Sequence, residues 1–82
     1  SSGLTLELPL SGVNARVVDQ LDTVLTEHKG PTPVRLKVVD LLDKYEVDFI
    51  CRKHLVELTN EFVQALEKVE GISYTIQTNG RN

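Results

Sequence analysis

Val34-Arg35-Leu36-Lys37-Val38-Val39 and Tyr45-Glu46-Val47-Asp48-Phe49-Ile50-Cys51-Arg52 are separated only by Asp40-Leu41-Leu42-Asp43-Lys44. In the first run Val34, Leu36 and Val38 alternate with Arg35, Lys37 and Val39. In the second, Tyr45, Val47, Phe49 and Cys51 alternate with Glu46, Asp48, Ile50 and Arg52. A period of two marks a half-buried strand, because successive side chains leave a strand on opposite faces. The connection is short enough for a hairpin, so the two strands are read as antiparallel neighbours. Arg35 and Lys37 then meet Glu46 and Asp48 across the hairpin, each pair holding the register by about 0.2–1 kcal/mol.

The flanks supply the other layer. Upstream, Leu4, Leu6, Leu8 and Leu10 alternate with Thr5, Glu7 and Pro9 and form a first strand. From Val13 the period changes: Val17, Leu21, Val24, Leu25 and His28 fall at helical spacing, Asn14 is placed to cap, and Gly30-Pro31 stops the run. The spacing predicts a helix over 14–29. Downstream, Thr59 caps a helix over 60–70 with Phe62, Val63, Leu66 and Val69 inward and Gly71 as its stop. Ile72, Tyr74 and Ile76 alternate with Ser73, Thr75 and Gln77 in a last strand. His54–Leu58 either extends the third strand past a kink or adds a short edge strand.

The resulting order, β-α-β-β-α-β, predicts the α+β class: a two-layer sandwich with a four-stranded mixed sheet and both helices on one face. Strand order stays open between a ferredoxin-like sheet and a partial doubly wound one. With 82 residues, residues 1–82 are read as a single domain, and residues 1–3 and 78–82 are expected to be disordered. There is no methionine, even at position 1, so the chain as written reads as an excised piece.

A net charge of -3 gives no basic face for phosphates, so strong direct nucleic-acid binding is not expected. The longest basic run, Arg52-Lys53-His54, is read as surface. No run approaches the length of a membrane span, so no membrane association is expected. One cysteine, Cys51, excludes an internal disulfide and suits a reducing, cytoplasmic setting. It shares the apolar parity of Val47 and Phe49 and is read as a core thiol. His28 is assigned to the end of its helix, where an imidazolium suits the negative dipole end, and His54 to solvent.

No catalytic constellation emerges. One cysteine with two distant histidines does not make a zinc site, so no metal is expected. No GxGxxG or GxxxxGK[ST] loop is present, and no cofactor is expected. Asp40 and Asp43 are read as turn formers. Phe49, Phe62, Tyr45 and Tyr74 are all assigned to the core. Leu41 and Leu42 fit a hairpin turn poorly. Either the strand runs on and Leu41 packs over the sheet edge, or the pair marks a contact surface.

The succession of residues carries a resemblance. His28-Lys29-Gly30-Pro31-Thr32-Pro33-Val34, after a helix with Leu21, Val24 and Leu25, resembles the C-terminal domain of the bacterial DNA polymerase III alpha subunit, where a helix ends in an "H-x-G-x-T-P-V" passage. Cys51-Arg52 followed by Leu58-Thr59-Asn60-Glu61-Phe62 is similar to that family's "S-R" and "P-S-x-E-L". The resemblance covers residues 4–77. Leu58 stands where the family often has proline, and Leu41-Leu42 occupy a turn that is usually more polar. The resemblance implies a non-catalytic module of a replicative polymerase, in contact with the rest of the polymerase chain and with the tau subunit of the clamp-loader complex. Partner-binding candidates are Leu41, Leu42, Arg52, Lys53 and His54. The alternative is a small ferredoxin-like regulatory module that binds a metabolite or mediates dimerisation.

Overall fold

Side-chain caps start both helices where the sequence places them. In the computed structural model, which describes residues 2–78, Asn14 Oδ1 accepts the Val17 amide at 2.9 Å and opens α1 (Ala15–Glu27). Thr59 Oγ1 accepts the Phe62 amide at 3.0 Å and opens α2 (Asn60–Glu67). Each cap satisfies an amide that the helix itself leaves unpaired. Thr59→Ala is therefore expected to cost about 1 kcal/mol. A lower urea midpoint at unchanged slope is the reading to look for, with Thr59→Ser close to the parent.

The strands are β1 (Ser2–Pro9), β2 (Lys29–Asp40), β3 (Tyr45–Val56) and β4 (Ser73–Thr78), with one 3-10 turn at Leu10–Gly12 after β1. Their order in the sheet is β3-β2-β1-β4. β1 pairs with β2 in parallel (Leu4 opposite Val34, Leu6 opposite Leu36), while β4 and β3 pair antiparallel to β1 and β2. The α+β order and the mixed sheet agree with the sequence reading. The open question of strand order is settled by adjacency. In a ferredoxin-like split β-α-β unit another strand lies between the two parallel strands, whereas β1 and β2 are direct neighbours here.

Several ends differ from the sequence reading. The first helix stops at Glu27, and Lys29 already belongs to β2, so Gly30 and Pro31 lie inside a strand that adds five residues before Val34. β1 begins at Ser2 and β4 runs to Thr78, because Ser2 pairs with Thr78 and Gly3 with Gln77. Ser2, Gly3 and Thr78, expected to be disordered, are paired main chain; Ser1 and residues 79–82 lie outside the described residues. The second helix ends at Glu67 and the chain turns through Gly71 at φ +83.

β3 does extend through His54 to Val56, by way of a bulge. Pairing passes from Arg35–Ile50 to Pro33–Leu55, so Cys51–His54 face a single β2 residue, Val34.

The core lies between the sheet and the helices. Leu4, Leu6 and Leu8 project from one face of β1 against Val17, Leu21, Val24 and Leu25 of α1 and Phe62 and Leu66 of α2, with Val34, Val56 and Val69 closing the set. Thr5, Arg35, Lys37, Thr75 and Gln77 carry the opposite parity and line a bare sheet face.

Candidate protein-interaction surface

The hairpin that decides the fold also carries the most exposed apolar side chains. Asp40 Oδ1 accepts from the amides of both Leu42 and Asp43 at 3.1 Å, which ends β2 and starts the turn. Lys44 closes it at φ +58. The aspartate thus acts as the turn former expected of it. Leu41 and Leu42 are left at the tip, 72% and 92% exposed. The strand does not run on, and Leu41 does not pack over the sheet edge. With Pro9 and Leu10 the two leucines line an open cleft of about 270 Å³ at the hairpin base.

Two of the four aromatics correct the core assignment. Phe62 is fully buried and Tyr74 half-buried, but Tyr45 and Phe49 are 58% and 49% exposed. Their alternation does give their face: Phe49 lies opposite Leu36 and Val47 opposite Val38, on the side that carries the helices. The helices do not reach that far. α1 and α2 cover β1, the start of β2 and the far end of β3 around Val56. The outer half of the hairpin carries an inward face with nothing over it, so Tyr45, Val47 and Phe49 continue the apolar tip down the edge strand. Periodicity gives the face of a strand and not the length of the layer above it.

The other candidates lie at the opposite end of β3. Arg52 and Lys53 are exposed in the bulge. His54 is not simply solvated: its Nε2 is 3.1 Å from Asp22 Oδ1 on α1, and its side chain is 23% exposed. It fastens the bulge to the first helix. At strand rise these residues stand on the order of 25 Å from the hairpin tip, so the structure does not gather the five candidates into one patch. Leu41 and Leu42 share their end of the hairpin with three further exposed apolar residues, Tyr45, Val47 and Phe49, whose alternation assigns them inward. Lys37 Nζ meets Glu46 Oε2 at 3.7 Å on the bare face, the kind of cross-strand pair expected.

Cys51 is half-buried against the core, and burial pushes its thiol above the usual cysteine range. A raised thiol pKa lowers the thiolate fraction, so Cys51 is expected to react with iodoacetamide more slowly at pH 7.5 than free cysteine, with urea removing the difference. His28 ends α1 with its ring tilted at 5.5 Å from Phe62, and its carbonyl accepts the Glu57 amide at 2.8 Å. Tyr74 donates to Glu67 Oε2 at 3.3 Å; desolvation and that carboxylate raise its pKa. Among the described residues no group of three or more His, Cys, Asp or Glu is placed to hold a metal ion, and no helix is long and apolar enough to cross a membrane. A shallow trough of about 720 Å³ runs over the bare sheet face past Thr5, Glu7, Arg35, Lys37, Ile50 and Thr75.

A family model described as the DNA polymerase III alpha subunit, C-terminal domain, matches residues 4–77. The chain belongs to that family. The match reaches all four strands, leaving out only Ser2, Gly3 and Thr78 at their ends, and includes both helices and the hairpin with its exposed tip. This places the domain in a subunit of a DNA polymerase and in DNA replication. Comparison with curated proteins finds no match.

Proposed function

We propose that this polymerase III alpha C-terminal domain is a non-catalytic docking module of the bacterial cytoplasm, which holds the tau subunit of the clamp loader and so ties polymerase to replisome. The observation that carries this reading is the exposed leucine pair at the hairpin tip, with Tyr45, Val47 and Phe49 also exposed on the strand that leaves it. Water-exposed apolar side chains of this size, gathered on one projecting element, gain free energy when a partner covers them. Aromatic side chains at the centre of such a patch are common binding hot spots. The rest of the polymerase chain is the second expected neighbour. A net charge of -3 argues against a direct role in holding duplex DNA.

The test is a binding titration of the chain with purified tau subunit, repeated with Leu41→Asp/Leu42→Asp. Binding is expected, and the double variant is expected to weaken it on the order of tenfold or more, about 1.4 kcal/mol. Its thermal unfolding should match the parent, since neither leucine supports the core. Equal affinity for parent and variant removes the tip from the interface. Salt-sensitive duplex DNA binding at micromolar affinity or tighter by the parent chain argues against the docking role.

A second reading, a metabolite-binding regulatory module, has one observation in its favour: the trough over the bare sheet face, with Arg35 and Lys37 on its floor. A ligand there stabilises the folded state alone, so a ligand-dependent rise in Tm across a metabolite panel supports it.

A further inference from the structure

β3 is an edge strand, and the two halves of its edge are built differently. From Cys51 to His54 the strand bulges and carries Arg52 and Lys53. Bulges and charged side chains, lysine above all, are among the usual devices that keep an edge from pairing with another chain. From Tyr45 to Ile50 there is no bulge, lysine, arginine or proline: pairing with β2 runs without a break from Asp40–Tyr45 to Arg35–Ile50, and the only charges are the carboxylates of Glu46 and Asp48, which repel an acidic strand and attract a basic one. All six residues are exposed. Six residues of regular strand with a free main-chain edge offer a template for one more strand.

The side chains specify what that strand must be. Tyr45, Val47 and Phe49 point to the helix side and call for apolar partners. Glu46 and Asp48 lie on the bare-face side. Lys37 approaches Glu46, and among the described residues Asp48 has no ion partner. A second copy of the chain is a poor occupant. Two-fold antiparallel pairing centred on Val47 sets Glu46 opposite Asp48 twice, and pairing centred on Asp48 sets that carboxylate against its own copy. Like charges directly opposite are destabilising. Registers centred further along run into the Cys51–His54 bulge.

We infer that Tyr45–Ile50 accepts an extended segment of another protein as a fifth strand, with apolar residues alternating with lysine or arginine. The inference rests on the reading of this domain as a docking module and gives the chemistry of the partner segment. Main-chain hydrogen bonds hold the segment, and the alternation sets its register.

The test uses a defined probe and does not depend on tau. The isotope-labelled chain is titrated with an acetylated, amidated hexapeptide of alternating lysine and valine, with a glutamate–valine hexapeptide, and with the lysine–valine peptide N-methylated at alternate residues. The lysine–valine peptide is expected to bind on the order of tenfold tighter than either control and to slow amide exchange within 45–50. Glu46→Lys/Asp48→Lys is expected to reverse the preference toward the glutamate peptide. Equal binding of the N-methylated peptide, which keeps the charge and loses main-chain donors, overturns the inference. So does protection confined to β4 or the bare face, or no binding to a chain shown to be folded. Peptide addition at 45–50 without any affinity for tau would sink the tau reading and leave the fifth strand standing.

Discussion

Phe62→Ala is expected to destabilise the domain by about 3–5 kcal/mol, the range for deleting a buried aromatic ring. The ring is fully buried, sits against His28 and belongs to the one cluster that joins both helices to β1. A chain of this size buries only about 60% of the surface exposed on unfolding, and small domains have total stabilities of roughly 5–15 kcal/mol. One substitution thus removes a large share of the total. α2 carries the chain from β3 at one edge of the sheet to β4 at the other, so loosening it also loosens β4. Circular dichroism of Phe62→Ala should show a much lower urea midpoint or loss of folded signal. Phe62→Leu, which keeps most of the volume, should cost less than about 1.5 kcal/mol. Val18→Ala is the control, because Val18 is 50% exposed on the outer side of α1. A loss in Phe62→Ala no larger than in Val18→Ala would mean that the ring is not in the core.

Phe62 also shows what the sequence makes legible. Its burial follows from local signals: Thr59 as a cap, then apolar residues at helical spacing. Leu4, Leu6, Leu8, Val17, Leu21 and Leu66 were placed on the same grounds, and local signals survive into the structure because they act over one helical turn or one strand pleat. Tyr45 and Phe49 carry an equally clear period yet stand in solvent. Whether an inward face is covered depends on how far a helix elsewhere in the chain extends, and that is a non-local quantity. The contact that holds His54 is illegible in the sequence for the same reason, since its partner Asp22 lies on a different element. The sequence signal at the hairpin is a local anomaly, two leucines where a turn wants polar residues, and both stand exposed.

Gly30→Ala is expected to cost about 1–3 kcal/mol or more, as overpacking does, although Gly30 is not needed for any positive φ. A methyl group at this position would lie 2.6 Å from the main-chain N and Cα of Glu57 and 2.7 Å from its Cβ. No flexible side-chain end is available to move; main chain must shift. The shift strains the 2.8 Å hydrogen bond from the Glu57 amide to the His28 carbonyl, and a lost bond adds roughly 1 kcal/mol. It also reaches α2, because the Glu57 carbonyl accepts the Thr59 amide at 2.9 Å and Thr59 caps the helix that carries Phe62. Gly30→Ala and Phe62→Ala act on one joint, so their costs are expected to be non-additive. Gly3→Ala is the control: its methyl group would meet only the Gln77 side chain, Oε1 at 3.4 Å and Cβ at 4.0 Å, both ordinary contacts, so a change within about 0.5 kcal/mol is expected. Faster exchange of the Glu57 amide in Gly30→Ala alone would localise the damage to the crossing of β2 and β3. Equal midpoints for the two glycine variants would mean that the main chains do not approach this closely.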